Sequence, residues 1–471
     1  VSASVGIVEK IMEFLPMPSL ALSTAVSVAV AQNYGAKKYE RTKKYMFAGM
    51  IIMSIISFCA VGVCYLFSEN ITALFSNDIK VTDMLYSCYG AAIREKKFVN
   101  QLDDIRARYQ EIIEGLDLTL SLDKEFETIR EDFGKKIGRE YAASRGEFLN
   151  GKIMAAYLGF EFVDAAEVIR FNEDGTFDDD TTNELLAERL KESKGAVIPG
   201  FYGATEAGRI VTFSRGGSDI TGSLVALAVS ADLYENWTDV SGCLIADPRI
   251  VKNPKPIDTI TYKELRELSY MGASVLHEDA IFPVRKAGIP INIRNTNAPE
   301  DKGTLIVEGT CRQPKYTITG IAGTDGFASV TIEKAMMNSE IGFCRKVLEE
   351  FDKNGISIEH MPSGIDTMTI FVHKDEFEEK EQQVLAGIHK AVNPDHIELE
   401  SDLALIAIVG RGMRSTRGTA GRIFSALAHA HINVKMIDQG SSELNIIVGV
   451  RHDDFKNAIR ALYQIFVETQ I

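Results

Sequence analysis

The stretch Phe213-Ser-Arg-Gly-Gly-Ser-Asp-Ile-Thr-Gly222 gathers residue types that handle anions and transferring phosphoryl groups. An apolar run, Gly208–Phe213, leads into it, and Ile220–Ser230 follows with small and aliphatic residues at helical spacing. That pattern predicts a strand, a glycine turn and a helix start. Glycines let a backbone approach a ligand closely, and a helix opens with free N–H groups and the positive end of its dipole. Arg215 offers a planar fork for a carboxylate or phosphate. Asp219, after Ser218, has three uses: to cap the helix, to hold a metal or to orient a nucleophile. A capped turn without chemistry would use the same residues, and a lone glycine pair does not separate the two.

The elements around this stretch are those of an α/β protein. Residues 91–141 are charge-rich, with Phe98, Leu102, Ile105, Tyr109 and Ile112 at helical spacing, which predicts helices exposed on one face. Ser144-Arg-Gly-Glu147 opens another helix, and Glu161–Val168 and Gly195–Pro199 read as strands. Residues 171–182 read as an acidic surface loop. Alternating strands and helices imply a parallel sheet with its site at the strand C-termini. A helix is expected over Tyr262–Leu276 and a linker over 299–316. Two segments of similar plan follow, from Tyr316 to Val392 and from Leu403 to the end, a tandem βαββαβ repeat. Gly410-x-Gly412 lacks the third glycine of a dinucleotide loop, which excludes that motif.

Composition narrows the function classes. The chain has 471 residues and a formal net charge of −15, enough length for about three domains. The acidic balance argues against a nucleic-acid partner, since phosphate neutralisation needs clustered Lys and Arg. The six cysteines form no C-x-x-C pair, so no zinc site or other metal-ligating cluster is expected and the thiols read as reduced. No signal peptide is evident.

Residues 1–75 differ in kind. Phe14–Tyr34 carries no charge, a basic cluster follows (Lys37, Lys38, Arg41, Lys43, Lys44), and Tyr45–Phe67 is apolar apart from Ser and Gly. As a helix the last run would be about 34 Å long, enough to cross a bilayer core of roughly 30 Å. Membrane association through residues 14–67 is expected, with the basic loop cytoplasmic and the chain after Phe67 outside. Ser23–Arg41 (Ser-Thr-Ala-Val-Ser-Val-Ala-Val-Ala-Gln-Asn-Tyr-Gly-Ala-Lys-Lys-Tyr-Glu-Arg) and Leu74-Phe-Ser-Asn-Asp78 resemble the interior of a multidrug and toxic compound extrusion (MATE) exporter.

From residue 76 onward the chain is similar to aspartokinase. The motifs are Lys80-Val-Thr-Asp-Met-Leu85, Ser144-Arg-Gly-Glu147, Pro199-Gly-Phe-Tyr-Gly203, Ser214-Arg-Gly-Gly-Ser-Asp219, Trp237-Thr-Asp-Val240, Ala246-Asp-Pro-Arg249 and Gly272-Ala-Ser-Val-Leu-His277, in the family's order. The resemblance implies an amino-acid-kinase-like αβα sandwich with a mainly parallel sheet over 76–298, then ACT domains over 316–392 and 403–471, behind the N-terminal hydrophobic helices of 1–75. It implies transfer of the ATP γ-phosphoryl group to the side-chain carboxylate of L-aspartate, on the way to lysine, threonine and methionine, in the cytoplasm.

The roles implied are specific. Arg215 and Glu147 hold the aspartate α-carboxylate and α-ammonium, with Thr82, Phe201 and Ser218 lining the pocket. Asp219 organises the reacting groups, through Mg²⁺, which prefers oxygen ligands. Thr238, Asp239, Asp247 and Arg249 fall where the family grips the nucleotide. Leu244 replaces a frequent aromatic residue there, and Ser274 a frequent lysine. Trp237 reads as core packing and His277 as structural. Met337, Ser339, Gly342, Glu359, Ser363 and Asp366 fall where a feedback amino acid, lysine or threonine, binds, and ACT repeats imply a homodimer or larger assembly.

One departure stands out. The family opens with a Lys-Phe-Gly-Gly-Ser/Thr-Ser strand and loop whose lysine neutralises the transferring phosphoryl group, and here Gly216-Gly217 is the one Gly-Gly pair. The transporter-like segment stands in its place, which points to a join of two genes at Phe75-Ser-Asn-Asp78. Two other readings accompany the kinase: a non-catalytic amino-acid-binding regulator, and a membrane transporter fragment.

Overall fold

The computed structural model describes residues 41–44, 46–49, 52, 81–94, 97–214, 216–273, 276, 278–310 and 315–469. The hydrophobic helices expected over 1–75 lie almost wholly outside these residues, as do Arg215, Ser274 and His277. Among the described residues no helix is long and apolar enough to cross a membrane. The described residues fall into two compact units that divide between Arg108 and Tyr109. The first holds α1 (Val81–Ile93), which buries Leu85, Cys88, Tyr89 and Ala92, and the start of α2 (Val99–Gly115).

The second unit continues with α3 (Asp123–Gly134) and α4 (Arg139–Leu158). Around α4 lie β1 (Glu161–Phe162), α5 (Ala165–Val168), β2 (Arg170–Phe171), α6 (Asp179–Leu190), β3 (Ala196–Val197), β4 (Tyr202–Thr205) and β5 (Ile210–Thr212). The strand expected over Glu161–Val168 stops after two residues, because Asp164 accepts a hydrogen bond from the Ala166 N–H and caps α5. The acidic loop ends in a helix for the same reason: Asp178 caps α6 through the Thr181 N–H.

Then come α7 (Gly217–Ala228), β6 (Tyr234–Thr238), β7 (Thr259–Thr261), α8 (Tyr262–Tyr270), α9 (Glu278–Ala287), β8 (Ile291–Asn295) and β9 (Thr304–Val307). Strands pair parallel as β1·β3, β2·β4, β6·β8 and β7·β9, and antiparallel as β4·β5 and β8·β9. The stretch expected as a linker therefore contains β9. Its Thr304 is fully buried, accepting from the Cys243 N–H and donating to the Ile257 carbonyl, so a polar residue reads as linker but closes a sheet.

The C-terminal part is one five-stranded antiparallel sheet in the order β11-β10-β12-β14-β13. Its strands are β10 (Gly320–Glu333), β11 (Thr367–His373), β12 (His396–Val409), β13 (Met436–Asp438) and β14 (Asn445–Arg451). Helices α10 (Phe343–Lys353), α11 (Lys374–Glu378), α12 (Glu381–Val392), α13 (Thr419–His429) and α14 (Phe455–Tyr463) complete the part. The two repeats are not simply successive. Gly320–Asp325 pairs with the end of β12, whereas Phe327–Glu333, beyond a register shift, pairs with β11 and the start of β12. The second module thus takes a strand from the chain that precedes the first. Its core is continuous with that of residues 226–306, while the first module packs a separate core around Phe343, Val347 and Phe351.

Candidate active site

The glycine pair does what its residue type allows. Gly216 adopts φ 58°, ψ 25° ahead of α7, a left-handed conformation that costs little only for glycine. Asp219 sits in the first turn of α7, where the helix dipole favours a carboxylate. Asn236 of β6 donates to its Oδ1 at 2.8 Å, and the same amide reaches the Tyr234 hydroxyl at 3.1 Å. Tyr234 is half-buried, and burial, with Asp219 nearby, raises its phenol above the ordinary value. Asn236 and Tyr234 therefore hold Asp219 from the neighbouring strand.

The turn Pro199–Tyr202 presses against this helix start. A Cβ on Gly217 would lie 2.9 Å from Phe201 Cα, and one on Gly200 would lie 2.9 Å from Ser218 Cα, closer than real contacts allow. Phe201 itself has φ 82°, a conformation costing on the order of 1–3 kcal/mol outside glycine. It is held there by its N–H donating to Thr221 Oγ1 and its carbonyl accepting from the Phe213 N–H. Phe201 and Ser218 are thus brought together.

Helix α4 joins from the other side. A Cβ on Gly151 would lie 3.2 Å from Pro199 Cγ, and Glu147 lies one turn earlier on the same face. Glu147 Oε2 is buried without a hydrogen-bond partner, and burial raises its carboxyl above the usual range. A carboxylate oxygen left so carries a desolvation cost unless a cation meets it. Arg145 beside it is buried, with its guanidinium 4.4 Å from the Tyr141 and Phe148 ring centroids and its Nη2 on Ser144 Oγ at 3.0 Å. The Tyr202 hydroxyl donates to Asp164 at 2.7 Å. Tyr234, Asn236 and Asp164 carried no sequence signal, and Arg145 only its place inside Ser144-Arg-Gly-Glu147. Thr82 occupies the first turn of α1, in the other compact unit.

The expected nucleotide residues fall in two groups. Thr238 ends β6, its carbonyl accepting from the Thr296 N–H (2.8 Å) and hydroxyl (3.0 Å), and its hydroxyl reaches Asp239 at 3.2 Å. Leu244, Asp247 and Arg249 line a cavity of about 320 Å³ together with Gly272, Ala273 and Gly323. Arg249 pairs with Asp247 at 2.7 Å and holds that carboxyl below the usual range. Its side chain is 86% exposed, so the pair is weak and the guanidinium can turn to an incoming phosphate. Trp237 is not core: it is 43% exposed, its ring under the Arg294 guanidinium at 4.7 Å. Period-two alternation along β6 buries Asn236 and turns Trp237 outward.

Of the expected regulatory residues, Asp366 accepts from the Met336 N–H at 2.8 Å, and the Ile365 carbonyl accepts from the Asn338 N–H. These bonds tie the loop carrying Met337, Ser339 and Gly342 to the one carrying Ser363 and Asp366. Met337 is buried in the module core, and Gly342 caps α10 with φ 79°. Glu359 faces elsewhere, accepting from the Tyr270 hydroxyl at 2.6 Å and pairing with His373 at 3.4 Å. Among the described residues no cluster of metal-ligating side chains is found.

Comparison with known proteins decides the family. An amino acid kinase family model matches residues 80–295 and an ACT domain model residues 406–466. Aspartokinase 3 of Bacillus subtilis (strain 168) is 39% identical over 414 residues, 83% of this chain and 89% of the relative. The chain belongs to the aspartokinase family. The crystal structure of Clostridium acetobutylicum aspartate kinase, described as an allosteric enzyme, aligns with a TM-score of 0.75 at 50% identity, covering 83% of this chain and 90% of that one. E. coli aspartokinase III, solved with aspartate and ADP, shares the fold at a TM-score of 0.57 and 24% identity, covering 82% of this chain and 91% of that one. This aspartokinase is accordingly a phosphotransferase with ACT regulatory domains. A MatE model matches residues 2–88, so the transporter-like and kinase-like ranges overlap over 80–88.

Proposed function

We propose that the turn of α7, the Phe201 turn and α4 form the aspartate pocket, with Glu147 receiving the substrate's α-ammonium. The observation that carries this reading is the buried, partnerless Glu147 Oε2. An ammonium there supplies the missing hydrogen bond and offsets the burial of charge. Arg215 takes the α-carboxylate, and Phe201 and Ser218 complete the walls. The β-carboxylate oxygen attacks the γ-phosphorus of ATP, the bond to the β,γ-bridging oxygen breaks, and ADP leaves. Such transfers depend on positioning and charge neutralisation. Asp219, braced by Asn236, orients the reacting groups and would hold Mg²⁺ with the ATP phosphates. Thr238, Asp239, Leu244, Asp247, Arg249 and Ser274 bind the nucleotide.

The lysine-bearing strand of the resemblance has a physical counterpart in a groove of about 490 Å³ lined by Ala196, Ile198, Gly200, Ser218, Leu233 and Tyr234. It lies between β3 and β6, and in the described sheets each pairs on one side alone, with β1 and β8 respectively. A strand entering there would run past Ser218. The first ACT module takes the feedback amino acid, lysine or threonine, at the Met337–Gly342 and Ser363–Asp366 loops. Met336, Ile341 and Ile365 stand exposed on the same loops, which supports a homodimer through that module. The kinase part works in the cytoplasm, where ATP is supplied. Glu147→Gln tests the pocket by calorimetry: aspartate binding should weaken about tenfold or more, and unchanged affinity would remove Glu147 from the site.

A further inference from the structure

A second cavity, of about 270 Å³, lies where the catalytic part meets the second ACT module and is lined by Lys255, Asp258, Lys315, Tyr316 and Arg411. Lys255 Nζ and Lys315 Nζ stand 5.6 and 5.5 Å from the centroid of the same Tyr316 ring. Neither lysine makes an ion pair within 4 Å among the described residues. Lys255 Nζ has only a long hydrogen bond to the Val467 carbonyl, at 3.5 Å. Arg411 pairs with Glu264 through Nη1, but its Nε is buried without a partner. Arg411 and Glu264 cancel, which leaves two ammonium groups against one carboxylate, Asp258, and an idle guanidinium N–H.

We propose that this cavity binds a small anion of the phosphate or dicarboxylate type and that its occupancy alters nucleotide affinity. The two ammonium groups supply the charge that an anion would neutralise. The volume suits an ion of a few heavy atoms and is small for a nucleotide. Coupling follows from the chain: Ile245 lines this cavity while its neighbours Leu244 and Ala246 line the nucleotide cavity. Ile245 is also tied to the regulatory sheet, its carbonyl accepting from the Ile321 N–H at 2.7 Å. The Ile245 N–H also donates to the Lys255 carbonyl at 3.0 Å, so an anion that draws Lys255 inward acts on that segment.

The test is isothermal titration of the full chain with orthophosphate and, separately, with succinate, without and with saturating ADP. By reciprocity the anion affinity must differ between the two conditions if occupancy alters nucleotide affinity, and equal affinities overturn that coupling. Binding by either anion that weakens about tenfold or more in Lys255→Gln/Lys315→Gln supports the site. Phosphate alone assigns a phosphoryl ligand, and succinate a carboxylate one. Lys315→Glu, a charge reversal at an exposed position, repeats the test without touching the packing of Lys255. Absence of binding by both anions, or equal binding by wild type and both variants, overturns the proposal. The readout is binding, so an inactive kinase site leaves the outcome interpretable.

Discussion

Replacing Glu264 by Gln should separate the second ACT module from the catalytic part. Glu264 is completely buried and accepts five hydrogen bonds. Oε2 takes the Thr261 N–H (2.9 Å), the Thr261 hydroxyl (2.7 Å) and Arg411 Nη1 (2.8 Å); Oε1 takes the Thr319 hydroxyl (2.6 Å) and the Arg411 N–H (2.9 Å). Three of these donors lie beyond residue 316, so one carboxylate caps α8 and pins the regulatory sheet. Burial opposes its charge, yet the bonds from Thr319, Arg411 and Thr261 hold its carboxyl below the usual range. A glutamine keeps one acceptor and turns an NH₂ toward at least one donor that cannot rotate away, while Arg411 loses its counter-charge. An unmet buried donor costs about 1–3 kcal/mol, and breaking a buried pair about 3–5 kcal/mol, so a loss of about 3 kcal/mol is expected. Urea unfolding followed by Trp237, the one tryptophan, measures it in Glu264→Gln, Arg411→Gln and the double variant. The sign with pH follows from the lowered carboxyl: its contribution is present above the unfolded value and is lost as pH falls through the folded one. Glu264→Gln should flatten that acid limb. A loss under about 0.5 kcal/mol with no coupling between the two positions would refute the role, since contacting pairs normally couple by more.

Four other outcomes are expected. Asp219→Asn should lower kcat by about 10²-fold or more, in the range found for a contact made in the transition state, with aspartate affinity changed far less; equal effects on both would undo its role. Gly217→Ala must displace Phe201, and should weaken aspartate binding while costing about 1–3 kcal/mol of stability; unaltered affinity in steady-state kinetics counts against the shared pocket. Glu147 has a raised carboxyl in the folded state, so its contribution is full below the unfolded value and is lost as pH rises through the folded one. Aspartate should relieve that loss in a thermal-shift series from acid to neutral pH, and Glu147→Gln should abolish the relief. Replacing residues 1–75 by a Lys-Phe-Gly-Gly-Ser-bearing strand should raise both turnover and melting temperature by filling the groove between β3 and β6; no gain in either would speak against an incomplete sheet.

What lay open in the sequence was whatever depends on local chemistry. The glycine pair at 216–217 and aspartate at 219 announce a turn and a helix start, because few residues tolerate the left-handed conformation Gly216 adopts and a carboxylate suits the first helical turn. Hydrophobic spacing likewise announced the helices and strands of the regulatory part. Tertiary packing decided the rest. Thr304 looks like linker and is a buried strand residue, since its hydroxyl accepts from the Cys243 N–H and donates to the Ile257 carbonyl. Trp237 looks like core and lies outside, because the pleat of β6 gives the interior to Asn236, which then braces Asp219. The interleaving of the two ACT modules was equally hidden: which strand lies beside Gly320–Asp325 is set by long-range pairing with β12, and pairing energy is shared between distant segments. Glu264 makes the point most sharply, as a capping residue by its spacing from Thr261 and a link between domains only once folding brings Thr319 and Arg411 to its other oxygen.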